Sequence, residues 1–226
     1  MAVSIKPLSA RIGAEVRGAD FSKIVPPADL ANIKQGLLQH LVMVIRNQSL
    51  NPEKLLAAVR LFGETMEQHL TDTLMQKHPE IAVLDSSKMP PDKQNRVIPF
   101  GARTWHTDHT NHECPPKYTA LYAVNLPSSG GDTSFANMHF AFASLPQQEQ
   151  ASLQELQTVN KIEDFGYISA EARIKFGSLP IHPLIRTHPE TGKKAIYVHP
   201  GKLERIVGQE TEKSQALIRN LLERVI

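Results

Sequence analysis

At 226 residues and 25.2 kDa the chain is long enough for one well-buried core and too short for two full-sized enzyme domains with a linker, so one domain over 1–226 is expected. The 25 Lys and Arg against 23 Asp and Glu leave a formal charge of only +2, and the basic residues are scattered. Nucleic-acid and membrane-surface binding, which rely on a dense positive patch, are therefore not expected, and the partners should be small molecules. The single Cys114 cannot form an internal disulfide, the first ten residues hold no continuous apolar run, and the strongest apolar stretch, 41–45, is far shorter than a membrane helix needs. A reducing cytoplasm is the expected setting, and a homo-oligomer the expected assembly.

In chain order, residues 3–8 and 14–17 read as short strands around a turn at Gly13. After Pro26 and Pro27, the positions Leu30, Ile33, Leu37, Leu38 and Leu41 recur at helical spacing. Residues 41–45 then read as a fully buried strand. Asn51 is placed to cap a second helix, with Pro52 in its first turn, Leu55, Leu56, Val59 and Phe62 as its stripe, and Gly63 at its end. Residues 81–84 read as a strand, and 86–102, with three prolines, as a loop able to act as a lid.

Further on, 117–124 and 132–135 read as strands separated by the turn-rich 127–131. Asn137 can cap a short helix, 147–156 forms another, and 181–187 with 194–198 flank Pro189, Glu190, Thr191 and Gly192 as a hairpin. Residues 211–226 read as a helix with Leu217, Leu221 and Val225 on one face, most simply a core stripe. Strands are many, short and not regularly alternated with helices, so the expected class is a β-rich α+β core with helices packed outside.

The chemistry centres on Trp105, His106, Thr107 and Asp108. On an extended segment His106 and Asp108 point the same way, presenting a nitrogen and an anionic oxygen together. These are two-thirds of the two-histidine, one-carboxylate face that holds non-haem Fe(II). Alone, His-x-Asp is more simply read as a hydrogen-bonded pair, and Trp105 before it and the Gly130, Gly131, Asp132, Thr133 run after it give the metal reading its weight. His106, His109 and His112 could alternatively suggest a zinc hydrolase, although they form no tetrahedral set at familiar spacing. Trp105 is expected to pack in the core beside the pair. Arg186 and His188 are expected to shape the hairpin, and His199 to have a surface or hydrogen-bonding role.

Four motifs in order then carry a resemblance: residues 105–108, Pro115 with Pro116, the run Leu126, Pro127, Ser128, Ser129, Gly130, Gly131, Asp132, Thr133, and the run 182–193. Together they resemble the TauD/TfdA family of Fe(II)- and 2-oxoglutarate-dependent dioxygenases, from about Ile5 onward. The resemblance implies a double-stranded β-helix, or jelly roll, with flanking helices. It implies that His106 and Asp108 are iron ligands and that the Thr133 hydroxyl meets a carboxylate of 2-oxoglutarate. It also implies use of O2, release of succinate and CO2, and hydroxylation of the substrate.

The family's second histidine ligand and its 2-oxoglutarate arginine fall beyond the 118 residues (226 minus 108) that follow Asp108. The sequence is therefore expected to be a truncated or partly recorded version of a longer protein, lacking the last core strands, and a non-catalytic or truncated family member without a complete iron site is the alternative reading. His69 falls within one position of a histidine that taurine-cleaving members turn toward the sulfonate, and Asn111 stands where they carry an aromatic residue. With Asp72 and Ala102 also departing from those members, the implied substrate is another sulfonate, a sulfate ester or a carboxylic acid rather than taurine.

Overall fold

A computed structural model of the chain describes residues 3–66, 73–88, 104–162 and 170–226. The N-terminal part is a small sheet backed by two helices. Strands β1 (Ser4–Pro7) and β2 (Ala14–Arg17) pair antiparallel, and Gly13, at φ 85°, supplies the left-handed step between them. Helix α1 (Pro27–His40) crosses over to β3 (Met43–Ile45), which pairs parallel with β2. Proline in the first turn and the buried Ile33 fix where α1 begins and which face it turns inward.

In α2 (Pro52–Arg60) the Asn51 side chain accepts a hydrogen bond from Lys54 N–H at 2.9 Å, the cap expected from sequence. Val16, Phe21, Ile33 and Ala58 form the core of this part, with Phe62 packed against it. β3 is half-buried rather than fully buried, because it lies at the open edge of a three-stranded sheet. The next pair, β4 (Leu74–Met75) and β5 (His78–Ala82), places its strand earlier than the expected 81–84. A 3-10 turn follows at Ser86–Lys88, and the rest of the expected lid lies outside the described residues, as does His69.

The C-terminal part holds the larger core. Helices α3 (Met138–Ala143) and α4 (Gln147–Gln154) lead into β6 (Gln157–Asn160), and α5 (Ala170–Phe176) precedes β7 (Ile181–Pro183). β8 (Ile185–Thr187) and β9 (Lys194–Ile196) make the expected hairpin, closed with Gly192 at φ 68°. β10 (Leu203–Ile206) pairs with the far edge of β6, giving the order β10, β6, β7. Helix α6 (Thr211–Val225) lies on β10 and buries Ile218 and Leu221 against Leu184, Leu203 and Ile206. Its apolar stripe is therefore core.

Two expectations fail between these parts. Residues 117–124 and 132–135 carry strand-forming side chains yet form no strand, and Leu121, Val124, Leu126 and Phe135 are exposed. Strand propensity is realised only where a neighbouring strand accepts the backbone hydrogen bonds, and no described strand lies alongside. Tyr122 instead ties the segment to the N-terminal part: its hydroxyl accepts from Leu50 N–H at 3.0 Å and donates to Gln48 O at 3.1 Å.

Candidate functional site

Residues 104–112 are a bend followed by a turn, not a strand. The turn opens at Asp108, closes with His112 N–H donating to His109 O at 3.0 Å, and places His109 at φ 55°. A non-glycine residue in that region is uncommon and needs its surroundings to hold it. Three contacts do so. His182 Nε2–H donates to His112 O at 2.9 Å, Lys202 Nζ donates to Asn111 Oδ1 at 2.8 Å, and Thr119 Oγ–H donates to Asp108 Oδ2 at 2.8 Å.

His182 is buried and burial keeps its pKa below the usual 6.5, although its bond to His112 O works the other way. The unfolded chain then takes up a proton at this site before the folded one does, so stability falls as the pH drops below 6.5. His182→Leu is expected to flatten that acid slope. It should also cost about 1–3 kcal/mol at neutral pH, because His112 O loses its donor. Urea denaturation at pH 5 and pH 8 (roughly the range over which a histidine titrates) measures both effects.

His106 and Asp108 do stand side by side, with Nε2 and Oδ1 3.4 Å apart and both side chains partly exposed. The tautomer of His106 follows from its other nitrogen. Nδ1 lies 3.0 Å from Thr104 O, a carbonyl that can only accept, so Nδ1 carries a proton. Nε2 therefore meets the carboxylate either as an imidazolium N–H or as a bare lone pair with a cation held between the two. The His106 imidazole first, and then the Thr119 hydroxyl, hold the Asp108 carboxyl well below the usual range, so it is an anion at any physiological pH. A nitrogen with its second N–H fixed by a carbonyl, beside an anionic oxygen fixed by a hydroxyl, is a donor pair suited to a first-row divalent metal. Among the described residues no group of three or more His, Cys, Asp and Glu is arranged to hold a metal.

His199 comes to the pair without having been assigned to it by sequence. Its ring centroid lies 5.3 Å from that of His106, and it is buried rather than on the surface. Nδ1 accepts from Gly201 N–H at 3.1 Å, so in the neutral ring Nε2 carries the proton and neither nitrogen offers a lone pair to a metal. Burial, reinforced by the Lys202 charge, pushes its pKa down to about 3 and keeps it neutral. The hydrogen-bonding role expected for His199 holds; the surface location does not. His109 is likewise pushed down to about 4 by burial and then by Lys202.

Of the other expected residues, Asn111 is buried one turn from Asp108, whereas Thr133 sits on the exposed irregular segment and makes no hydrogen bond among the described residues. Trp105 is 43% exposed rather than packed in the core, because the bend turns it away from both core clusters. Arg186, on β8, lies over the ring of Tyr197, the residue just after β9, at 4.7 Å, and so packs across the hairpin. Thr119 and Lys202 were invisible to sequence reading: one is an unremarkable threonine in a supposed strand, and lysine is rarely buried.

Residues 4–224 match the family described as "Taurine catabolism dioxygenase TauD, TfdA family". Pentalenolactone F synthase from Streptomyces avermitilis is 30% identical over 93% of the chain and 75% of its own length. The α-ketoglutarate-dependent sulfate ester dioxygenase of Pseudomonas putida is 29% identical over 95% of the chain and 72% of its own length. Among solved structures, a taurine dioxygenase from Burkholderia xenovorans superposes with a TM-score of 0.75 at 30% identity, covering 100% of this chain and 73% of that one. The fold expected from sequence, a jelly roll with flanking helices, is the fold of these structural neighbours.

Proposed function

Because the chain belongs to the TauD, TfdA family and is thereby a 2-oxoglutarate-dependent non-haem iron dioxygenase, we propose that it hydroxylates a small organic anion, a sulfonate, sulfate ester or carboxylate, with His106 and Asp108 as iron ligands. The observation that carries the assignment is the 3.4 Å approach of His106 Nε2 to Asp108 Oδ1, with Nδ1–H already committed to Thr104 O. A cation between the two relieves the meeting of a lone pair with a carboxylate. Bound iron would supply activation of O2 together with oxidative decarboxylation of 2-oxoglutarate to succinate and CO2.

The protein's own contribution is to orient. Thr104 O sets the His106 ring, and Thr119 sets one Asp108 oxygen so that the other faces His106. Thr133 is the proposed donor to a 2-oxoglutarate carboxylate, and His69 and Asn111 the proposed substrate contacts. The anionic class is supported by the sulfate ester named in one relative's activity and by the basic residue beside Asn111. The test is succinate formed from 2-oxoglutarate with added Fe(II) across sulfonates, sulfate esters and carboxylates. Succinate release stimulated by none of them would overturn the proposal. For Thr133, Thr133→Val should weaken 2-oxoglutarate binding by about 1–3 kcal/mol, read as a dissociation constant by calorimetry. An unaltered constant would remove Thr133 from the site.

A further inference from the structure

A ligating imidazole turns about two side-chain bonds, so holding it takes two constraints. A hydrogen bond to one nitrogen selects which nitrogen faces the metal, and a surface against the ring sets its plane. For His106 the first is Thr104 O, 3.0 Å from Nδ1. Thr104 belongs to the same exposed bend as the histidine and gives that bend no hold on the rest of the molecule. The second constraint comes from the C-terminal part. The His199 ring stands with its centroid 5.3 Å from that of His106 and the planes 51° apart, within the range over which aromatic rings pack on one another.

His199 is the firmer member of this contact. Val198 before it and Leu203 after it both belong to the larger core. The turn between them is closed at His199 itself, whose carbonyl accepts from Lys202 N–H and Leu203 N–H, each at 3.0 Å. The side chain is fixed as well, since Nδ1 accepts from Gly201 N–H at 3.1 Å. His199 is 5% exposed, whereas the His106 side chain is 33% exposed. A buried ring tied to the core thus bears on a partly open ring carried by a bend.

We propose that His199 is a positioning residue for the iron site: its ring backs the His106 imidazole and sets the plane in which Nε2 faces Asp108 Oδ1. The inference deepens the reading of His106 and Asp108 as ligands and rests on it for its purpose. Two substitutions separate this role from a structural one. His199→Asn keeps an acceptor for Gly201 N–H, its Oδ1 standing where Nδ1 stood, and removes the ring. His199→Phe keeps the ring and removes the acceptor. Asparagine would replace a residue that serves only its turn, and phenylalanine would replace one that serves His106.

The test follows the full chain by two readouts, neither of which needs turnover. One is the proton resonance of His106 Nδ1–H, identified by its absence from His106→Asn. The other is the Co(II) absorption that Asp108→Ala abolishes. The wild type should show both. His199→Asn should lose the resonance to exchange with water and bind Co(II) about tenfold or more weakly, the usual cost of removing a residue that orients a ligand. His199→Phe should keep the resonance and bind Co(II) more tightly than His199→Asn, even with a lower urea midpoint. Metal affinity and resonance unchanged in His199→Asn overturn the proposal. So does affinity that follows the urea midpoints of the two variants rather than the presence of a ring, or a wild type without the resonance. The two readings separate. A chain whose His106 resonance depends on the His199 ring but which takes up no Co(II) loses the ligand reading alone. One that binds Co(II) equally with and without the ring loses only the role of His199.

Discussion

Asp108→Ala is expected to reduce 2-oxoglutarate-dependent succinate formation to background while leaving the protein folded. The two halves of that expectation have separate causes. Asp108 supplies the negative oxygen of the pair, and without it His106 is left as a single, partly exposed nitrogen donor, too little to hold a divalent cation. The side chain is also 40% exposed, and its contacts are one hydroxyl and one imidazole, so its removal should change stability by no more than about 1 kcal/mol. Succinate measured by chromatography, together with a Co(II) titration followed by visible absorption, checks the first half, and a urea melt checks the second. Undiminished succinate would remove Asp108 from the reaction. A collapse in stability would instead make it a structural residue.

What could be read from the sequence was whatever is decided locally. The Asn51 cap of α2, the apolar stripe of α6 and the Gly192 turn of the β8–β9 hairpin each depend on residues within a few positions of one another, and each is present. His106 and Asp108 are also two apart, and their side chains meet even though the chain turns at Asp108 where a strand was expected. What escaped is decided at long range. Lys202 reaches Asn111 across 91 positions, and His182 reaches His112 across 70. Pattern within one segment cannot reveal either. The same limit explains residues 117–124: their β-branched and aromatic side chains favour a strand, but pairing depends on a neighbour that local sequence cannot supply. Trp105 fails for the related reason that burial depends on what comes to cover a side chain, not on its size.

Leu221→Ala is expected to destabilise the protein by about 2–5 kcal/mol, the range for emptying a well-packed leucine site. Leu221 is 1% exposed, and it joins α6 to a cluster that includes Leu184, Leu203 and Ile206. The contrast within the same helix makes the expectation discriminating. Arg224, one turn further on, pairs with Glu149 at 2.5 Å, yet the arginine is half-exposed and solvent screens the pair, so Arg224→Ala should leave the urea midpoint almost in place. If α6 instead presented its stripe to a partner, Leu221→Ala would alter association and leave the urea midpoint of the isolated chain in place. The consequence should also reach the site. Leu203, directly after Lys202, packs in the same cluster, so loosening α6 against β10 should loosen the turn that brings Lys202 to Asn111. Hydrogen exchange at residues 199–206 in Leu221→Ala should therefore quicken more than exchange in α1, which belongs to the separate N-terminal core.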